Sequence, residues 1–440
     1  MKKLLILGGS RYIIPAIEAA HKLGAYVVTC DYLPDNIGHK YSDEYHNVSI
    51  IDKEAILALA RELKIDGILS YATDPGVEPA AYVAEQLGLP TPPYESVRIL
   101  QNKDLFRQFL KDHDFNVPLF RGFASIEEAE AAIGDFTMPV IVKPVDSAGS
   151  KGVARVDKKE DLRTAIEHAL TYSHSGRFII EEFIEKECYS SGSECFSVQN
   201  RIVFTSFANQ HFDKSCDNPY TPMGSTWPSY MPKECQMELR NELQRLISLL
   251  HMGTTIYNVE CRLGTNGKTY LMEVSPRAGG NRLAEVLRYA CGQDLILNDV
   301  KAALGLPADE LTEPIYRGSW GVYMLHSDAA GIFDHLWISP EVEDKYVAEK
   351  DLWIQPGQEV HPFTGANEAV GSIIFHCNSA EEANTLIEHH RDWCRVVVRA
   401  NKETAEAERA QKNMWGGHDR FFRVIREAAA FFADLQGQAA

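Results

Sequence analysis

The chain has 440 residues, too many for one ordinary hydrophobic core, so two or three domains are expected. Hydrophobic residues make up 45% and charged residues 24%, as is usual for a globular protein in water, and no apolar run approaches the length of a membrane span. The formal net charge of −18 argues against a non-specific binder of nucleic acid or of an anionic membrane.

The first 95 residues are predicted to form a parallel α/β domain. The basic start of the chain is followed by an apolar run from Leu4 to Leu7, which is too short for a signal-peptide core. Strands are predicted at residues 3–9, 25–32 and 66–74, and helices at residues 13–23, 53–63 and 79–87. A β-α-β-α-β series of this kind implies a parallel sheet with right-handed crossovers.

From residue 96 onward the pattern becomes mixed. An amphipathic helix is predicted at residues 101–115, and a strand, a Gly/Ser-rich turn and a second strand at residues 138–156. An apolar strand covers residues 178–187, and two further strands at 255–263 and 268–281 flank an Asn266-Gly267 hairpin turn. Residues 306–400 indicate an α+β lobe, and residues 401–440 a helical tail. The fold class is therefore a multi-domain mixture of α/β and α+β.

Cysteine and histidine usage gives little sign of a metal cluster. The nine cysteines are odd in number and scattered, without a C-x-x-C pair, which favours reduced thiols in a cytoplasmic protein. The fifteen histidines show no paired ligand spacing. His211 falls where substrate contacts could lie, but it is interpreted as an ordinary polar residue, like the others.

The segment at residues 142–153 has the composition of a triphosphate-binding turn. Lys143 follows a buried-type strand, and Gly149 and Gly152 follow it in a turn that also carries Ser147 and Ser150. A lysine can neutralise phosphate oxygens while backbone N–H groups of an open turn approach them. The sequence is not a Walker A motif, and a surface hairpin with a solvated lysine is the alternative.

The predicted hairpin carries two carboxylates suited to magnesium. If its strands pair, Glu260 and Glu273 converge on one face, and Mg²⁺ binds through a few carboxylates together with substrate phosphates. Arg277 follows Glu273 and suits the charge of a transferring phosphoryl group. The alternative is an exposed hairpin with an ordinary Glu–Arg pair, which the apolar surroundings of Glu273 disfavour.

Several ordered motifs resemble those of the ATP-grasp superfamily. They are NKDLFR, VIVKP with SAGSKG, IEEFIE, and the final E-x-S-P-R-x-G-G. Within that superfamily the chain looks most like carboxylate–amine ligases related to carbamoyl-phosphate synthase, biotin carboxylase and bacterial L-amino acid ligases. The resemblance covers about residues 1–400 and is motif-specific between Gln101 and Asn281. It implies a pre-ATP-grasp domain at residues 1–95, an ATP-grasp domain at 96–305, a C-terminal lobe at 306–400 and a tail at 401–440.

The resemblance also implies roles for individual residues. Lys103 and Lys143 would contact the nucleotide phosphates, Glu187 would bind ribose, and Arg277 would stabilise the acyl-phosphate or tetrahedral species. The flap over the γ-phosphate would comprise Ser147, Ala148, Gly149 and Ser150, and the adenine hinge Glu181, Glu182, Phe183 and Ile184. Glu260, Glu273 and Ser275 would hold Mg²⁺ or Mn²⁺ against ATP.

Two departures from the family pattern affect the implied metal site and the implied ribose contact. The last motif of the family is usually E-x-N-x-R, but Ser275 stands at the asparagine position, which makes a second metal site less secure. The stretch at residues 188–197 carries extra small residues, so that either Glu187 or Glu194 could bind ribose, with Glu187 slightly preferred.

The implied activity is ligation of a small carboxylate to an amine. ATP would phosphorylate the carboxylate and the amine would displace phosphate, with an amino acid as the first-choice carboxylate. Residues 209–232, with Arg277, Ala278 and Asn281, would line the acceptor pocket. The alternatives are an enzyme related to purine-pathway carboxylases or carbamoyl-phosphate synthase, and an ATP-binding regulator without turnover.

The glycine loop at residues 8–15 raises a further alternative. It follows a strand and opens a helix, but it lacks the third glycine of a dinucleotide fingerprint, so an NAD-dependent oxidoreductase is disfavoured. The resemblance places this loop on the acceptor side of the site. Many relatives are dimers, although nothing in this sequence fixes the oligomeric state.

Overall fold

The computed structural model describes residues 1–216 and 218–400. These residues form five sheets and the helices that pack against them. The predicted helical tail at residues 401–440 lies outside the described residues. Within the described part, no helix is long and apolar enough to cross a membrane. All nine cysteines are described, and all are free thiols.

The N-terminal domain is built on a parallel sheet of strand order β3-β2-β1-β4, as the alternating pattern predicted. Its elements are β1 (Lys3–Leu7), α1 (Ile14–Lys22), β2 (Tyr26–Cys30), β3 (Glu44–His46), α2 (Lys53–Leu63), β4 (Gly67–Leu69) and α3 (Val77–Leu87). The prediction missed β3, because three residues are too few to show alternation. It also made β4 too long: the chain leaves the sheet after Leu69, and a short 3-10 turn at Asp74–Gly76 leads into α3.

The next segment forms an antiparallel sheet of order β5-β8-β6-β7. Its elements are α4 (Tyr94–Gln101), α5 (Lys103–Asp112), β5 (Phe120–Phe123), α6 (Ile126–Ala132), β6 (Val140–Pro144), β7 (Ala154–Val156), α7 (Leu162–Leu170) and β8 (Phe178–Glu182). The helix predicted at residues 101–115 is broken at Asn102, whose backbone is extended. The break lets the Lys103 N–H donate to the Val145 carbonyl at 2.9 Å, so the start of α5 is held against the end of β6.

A second antiparallel sheet has the order β10-β9-β13-β14. The elements of this region are β9 (Ser191–Val198), β10 (Arg201–Ser206), β11 (Asn209–Phe212), β12 (Pro222–Trp227), α8 (Lys233–Leu249), β13 (Thr255–Leu263), β14 (Thr269–Ser275), α9 (Leu283–Cys291) and α10 (Leu295–Ala303). β13 and β14 pair as the predicted hairpin, and the turn uses Gly267 at φ 73°, a conformation that glycine adopts without strain.

The C-terminal lobe contains sheets of order β11-β12-β15-β19-β17 and β18-β16-β20. Its own elements are β15 (Ser319–Leu325), β16 (Gly331–Ile338), α11 (Pro340–Tyr346), β17 (Val347–Leu352), β18 (Glu359–Val360), β19 (Gly371–Cys377), α12 (Ala380–Glu388), α13 (His390–Trp393) and β20 (Cys394–Arg399). One buried apolar cluster runs from Ile17 of α1 through Leu287 and Val300 to Met324 of β15. This cluster ties the N-terminal domain to the C-terminal lobe.

Candidate active site

A buried carboxylate lies between two cations at the centre of the first antiparallel sheet. Glu181 of β8 is 2.7 Å from Lys143 Nζ and 2.8 Å from Arg107 Nε, and the three side chains are largely buried. Burial acts to raise the pKa of Glu181, but the Arg107 and Lys143 charges outweigh it and lower the pKa to about 2. The Glu181 side chain therefore holds Lys143 in place. Only the backbone of Glu181 is then available to contact adenine in the predicted hinge.

Arg107 was missed by the sequence reasoning, although the pattern carried a signal. It follows Lys103 by four residues on α5, so the two cations share one helix face. It also lies beside Phe106 on the buried side of the helix, where an arginine needs a counter-ion.

Lys103 links the flap to the carboxylate hairpin. Its Nζ donates to the Ser147 carbonyl at 2.7 Å and lies 3.7 Å from Glu273 Oε2. The structure thus brings together one lysine from α5, the predicted flap and one of the predicted metal ligands. A phosphate group bound there would replace some of these contacts with its own oxygens.

The predicted flap, Ser147, Ala148, Gly149 and Ser150, is a turn anchored at both ends. Gly149 and Ser150 both have left-handed backbones, with φ of 68° and 58°, and the Ser150 hydroxyl donates to the Tyr220 carbonyl at 3.0 Å. Just before the turn, Asp146 accepts hydrogen bonds from the Ser175 N–H at 2.7 Å and the Ser173 hydroxyl at 3.0 Å. A tight turn of this kind can present successive backbone N–H groups to an anion.

Glu260 and Glu273 lie directly opposite each other on β13 and β14. The side chain of Glu260 reaches solvent, but desolvation by the surrounding protein and the neighbouring Glu273 charge raise its pKa, while Arg262 and Lys143 oppose the shift. Gln210 of β11 also hydrogen-bonds Glu260. It can approach because Gly192 lies opposite Glu260 on β9: a Cβ there would stand 2.9 Å from Gln210 Nε2. Two facing carboxylates repel each other, so they form a site that a cation would stabilise.

Ser275 and Arg277 are held by a residue of the N-terminal domain. Asp74 accepts from Arg277 Nε at 2.8 Å and Nη2 at 2.6 Å, and from the Ser275 hydroxyl at 3.1 Å. Ser275 also accepts from Gln101 Nε2 at 2.8 Å. Ser275 shares a strand face with Glu273, but its hydroxyl proton is directed at Asp74. Asp74 was predicted only as the last residue of a strand, without a functional role.

The predicted adenine hinge, Glu181 to Ile184, covers the end of β8 and the two residues after it. The Phe183 N–H donates to the Pro139 carbonyl at 3.0 Å, and the Glu182 carboxylate accepts from the Thr137 N–H at 2.8 Å. The Ile184 carbonyl accepts from Arg262 at 3.0 Å. Arg155 lies 4.4 Å from the centre of the Phe183 ring, so the exposed edge of the hinge is lined by cations.

The two ribose candidates occupy different environments. Glu187 is exposed, and its N–H donates to the Leu263 carbonyl at 2.9 Å beside the hinge. Glu194 is fully buried on β9 and accepts from the Gly279 N–H at 2.9 Å and from Asn258 at 3.0 Å. Burial raises the pKa of Glu194 to about 8, against the effect of these two hydrogen bonds.

The N-terminal glycine loop meets the predicted acceptor side. The Tyr12 hydroxyl donates to the Ala366 carbonyl at 3.2 Å and to Asn281 Oδ1 at 3.4 Å. Asn281 in turn donates to the Pro222 carbonyl at 3.4 Å. The segments around residues 222, 281 and 366 therefore meet at the N-terminal loop. His211 is buried, its Nε2 lies 3.1 Å from both Thr226 and Asn384, and burial lowers its pKa to about 4. His211 thus belongs to a buried polar network.

Comparison with known families and curated proteins gives consistent matches. Residues 100–281 match the model of the ATP-grasp domain, and residues 17–91 match that of the ATP-grasp N-terminal domain. A formate-dependent phosphoribosylglycinamide formyltransferase from Synechococcus sp. (strain WH7803) is 24% identical over 308 residues, covering 69% of this chain and 77% of the relative. The enzyme of the same name from Rhodococcus jostii (strain RHA1) is 26% identical over 344 residues, covering 75% and 81%.

Solved structures share the fold. The L-amino acid ligase from Bacillus licheniformis superposes with a TM-score of 0.74 at 21% identity, covering 91% of this chain and 99% of that one. Phosphoribosylglycinamide synthetase from Anaerococcus prevotii gives 0.70 at 19% identity, covering 90% and 100%. At this level of identity the superpositions establish the architecture.

Proposed function

Because the chain belongs to the ATP-grasp superfamily, we propose that it is a carboxylate–amine ligase that converts ATP to ADP and phosphate. The observation that carries the proposal is the convergence of Lys103, Lys143, Glu260, Glu273 and Arg277, which come from α5, β6, β13, β14 and the turn after β14. Binding ATP alone does not require two phosphate-directed lysines, facing carboxylates and a buried arginine together.

The proposed reaction has two steps. A carboxylate oxygen of the substrate attacks the γ-phosphorus of ATP, the bond to the bridging oxygen breaks, and ADP leaves with an acyl phosphate behind it. An amine then attacks the acyl carbon, phosphate leaves, and the amine nitrogen loses a proton. Lys143 and Lys103 neutralise phosphate oxygens, and Arg277 stabilises charge on the acyl phosphate or the tetrahedral species. The flap excludes water while the acyl phosphate exists.

Glu260 and Glu273 are the residues that would hold Mg²⁺ or Mn²⁺. Their mutual repulsion and the raised pKa of Glu260 fit a cation at this position. When bound, the ion would neutralise charge on the phosphate oxygens. Glu187 is proposed for the ribose hydroxyls, because it is exposed beside the hinge while Glu194 is buried.

The carboxylate substrate is proposed to be small. Two candidate carboxylates are considered, and formate would be joined to a different kind of amine. An amino acid is the first candidate, since the chain shares its fold with an L-amino acid ligase. Formate with a phosphorylated amine is the second, favoured by the curated relatives with formate-dependent formyltransferase names. The partners are small molecules in both cases, and the reaction is expected in the cytoplasm.

The test is release of ADP and phosphate from Mg-ATP across amino acids, formate and other small carboxylates, alone and paired with amines. Release that requires a particular pair, and that Glu273→Ala abolishes, supports the ligase and identifies its substrates. An exposed-site control, Glu238→Gln on α8, should leave the rate unchanged. Failure to bind ATP would contradict the proposal.

A further inference from the structure

A second group of potential ligands lies where the segment after β11 meets the C-terminal lobe. Asp213, Cys216, His326 and Asp328 each offer one ligand atom, and these atoms all lie within 4.8 Å of one another. The first three residues are buried. His390, also buried, adds its Nε2 at 3.4 Å from Asp213 Oδ2. The proposed ligase chemistry uses none of these side chains.

The two histidines are oriented by the backbone. His326 Nδ1 lies 2.7 Å from the Met324 carbonyl, and His390 Nδ1 lies 3.1 Å from the Ile387 carbonyl. A carbonyl only accepts, so Nδ1 carries the proton in both rings, and a neutral ring then has a lone pair on Nε2. Fixing Nδ1–H on a carbonyl is how metal-binding histidines are commonly held with Nε2 toward the ion.

Both Nε2 atoms face the same carboxylate oxygen. His326 Nε2 is 3.5 Å and His390 Nε2 is 3.4 Å from Asp213 Oδ2. These separations exceed an ordinary hydrogen bond. They are close to the edge, about 3.3 Å, of a tetrahedron whose metal–ligand bonds are about 2.0 Å. A cation between the three groups would be coordinated by both Nε2 atoms and by the Asp213 carboxylate.

We propose that Asp213, Cys216 and His326, joined by His390 through its approach to Asp213, supply the four ligands of a site for a divalent transition metal. Two imidazoles, one carboxylate and one thiolate are ligands that Zn²⁺ accepts in this geometry. The sequence spacing did not indicate the site, because its ligands follow β11, follow β15 and begin α13, far apart in the chain. Cys216 contributes as a single thiolate rather than through a C-x-x-C pair.

Arg391 is the competing cation in the metal-free protein. Its Nη2 donates to Asp213 Oδ2 at 2.6 Å, and its guanidinium also pairs with Asp328 at 2.6 Å and 2.9 Å. Arg391 satisfies the two carboxylates but offers nothing to the two imidazole lone pairs. When a metal coordinates Asp213, Arg391 keeps its two hydrogen bonds to the Asp328 carboxylate. Asp328 therefore serves as the partner of Arg391, outside the coordination sphere.

The metal would fix the segment that receives the flap. Asp213 and Cys216 begin the connection from β11 to β12, and further along it Tyr220 accepts a hydrogen bond from Ser150. Thr221 of the same connection donates to the Thr364 carbonyl at 3.1 Å. Metal binding contributes free energy only to the conformation that assembles its ligands, so it would stabilise this docking surface. The metal site does not depend on the proposed ligase activity.

The experiment uses the full chain, purified without chelator and dialysed against Zn²⁺ in excess Mg²⁺. We expect one tightly bound Zn²⁺ per chain. Co²⁺ in its place should give the intense visible bands of tetrahedral coordination and a thiolate-to-cobalt charge-transfer band. Cys216→Ser should remove the charge-transfer band, whereas Cys377→Ser, a buried cysteine of β19, should retain it. His326→Gln and His390→Gln should weaken Zn²⁺ binding by at least about 100-fold.

Asp328→Asn is the discriminating variant, because it should keep the Zn²⁺ that His390→Gln loses. Circular dichroism and ATP binding identify variants that remain folded, and the cobalt spectrum of the unmodified chain tests the site without any substitution. Absence of both retained Zn²⁺ and a charge-transfer band in that chain would overturn the proposal. A band that survives Cys216→Ser in a folded variant would also overturn it.

Discussion

Asp74 and Arg277 form a two-pronged ion pair between the N-terminal domain and the turn after β14, with N–O distances of 2.8 Å and 2.6 Å. Their side chains are only 18% and 10% exposed. Burial acts to lower the pKa of Arg277, but the Asp74 charge outweighs it, so the guanidinium stays charged. The orientation of the proposed catalytic arginine thus depends on a residue more than 200 positions away in the chain.

Asp74→Asn is therefore expected to reduce turnover. The substitution removes the charge and one acceptor, so Arg277 loses its fixed orientation while remaining in the site. We expect kcat to fall by about tenfold, less than the roughly 10²-fold loss expected for Arg277→Ala, which removes the stabilising group itself. Steady-state kinetics measure both, with the exposed Asp35→Asn as control. Equal rates for Asp74→Asn and the unmodified chain would contradict the positioning role.

Glu181→Gln is expected to destabilise the nucleotide-binding part. It leaves the buried Arg107 and Lys143 charges without their shared partner, and breaking a buried pair costs about 3–5 kcal/mol. Urea unfolding should show this loss, whereas Glu182→Gln, which affects a half-buried carboxylate on a backbone N–H, should cost about 1 kcal/mol. Comparable losses in both variants would contradict the central role of Glu181.

The same carboxylate predicts an acid dependence of stability. The folded pKa of Glu181 is about 2 and its ordinary value is 4.5, so its contribution is fully present above about pH 4.5. That contribution should disappear as the pH falls from about 4.5 toward 2. The slope of unfolding free energy against pH in this window should be smaller for Glu181→Gln than for the unmodified chain. Identical slopes would show that Glu181 has no depressed pKa.

Glu260→Gln should affect stability and function in opposite directions. In the ligand-free protein the Glu273 carboxylate lies directly opposite Glu260 and repels its charge, so an amide at Glu260 relieves the repulsion. We expect a modest rise in the melting temperature without ligand. We also expect weaker Mg-ATP binding and a smaller melting shift on adding Mg-ATP. Differential scanning calorimetry with Glu238→Gln as control measures both, and a variant as strongly stabilised by Mg-ATP as the unmodified chain would contradict the metal assignment.

Local patterns predicted the strands and the hairpin, but not the long-range partners of the site residues. The Asn266-Gly267 turn predicted the hairpin, but the pairing of Glu260 with Glu273 also requires a register shift between Glu260 and Cys261, without which Met272 would face Glu260. Asp74, Gln210 and Arg107 reach the site through packing between elements distant in the chain, which one sequence does not encode locally. Asn102 breaks the predicted helix for the same reason: the Lys103 N–H bonds the distant Val145 carbonyl.

The two ribose candidates predict opposite behaviour on conversion to glutamine. Glu187→Gln should raise the KM for ATP, because it weakens a charged acceptor at an exposed position beside the hinge. Glu194 has a folded pKa of about 8 against an ordinary 4.5, so it is largely protonated at neutral pH, and glutamine preserves the acceptor that receives the Gly279 N–H. Glu194→Gln should therefore leave the KM unchanged. The sign of its pH effect follows from the same shift. Between about pH 4.5 and 8 the unfolded chain ionises Glu194 while the folded chain keeps it protonated, so the unmodified chain loses stability as the pH rises and Glu194→Gln should gain stability relative to it. ATP titration kinetics and thermal unfolding at pH 5 and pH 8 measure both effects. A raised KM in Glu194→Gln with none in Glu187→Gln would transfer the ribose role to the buried residue.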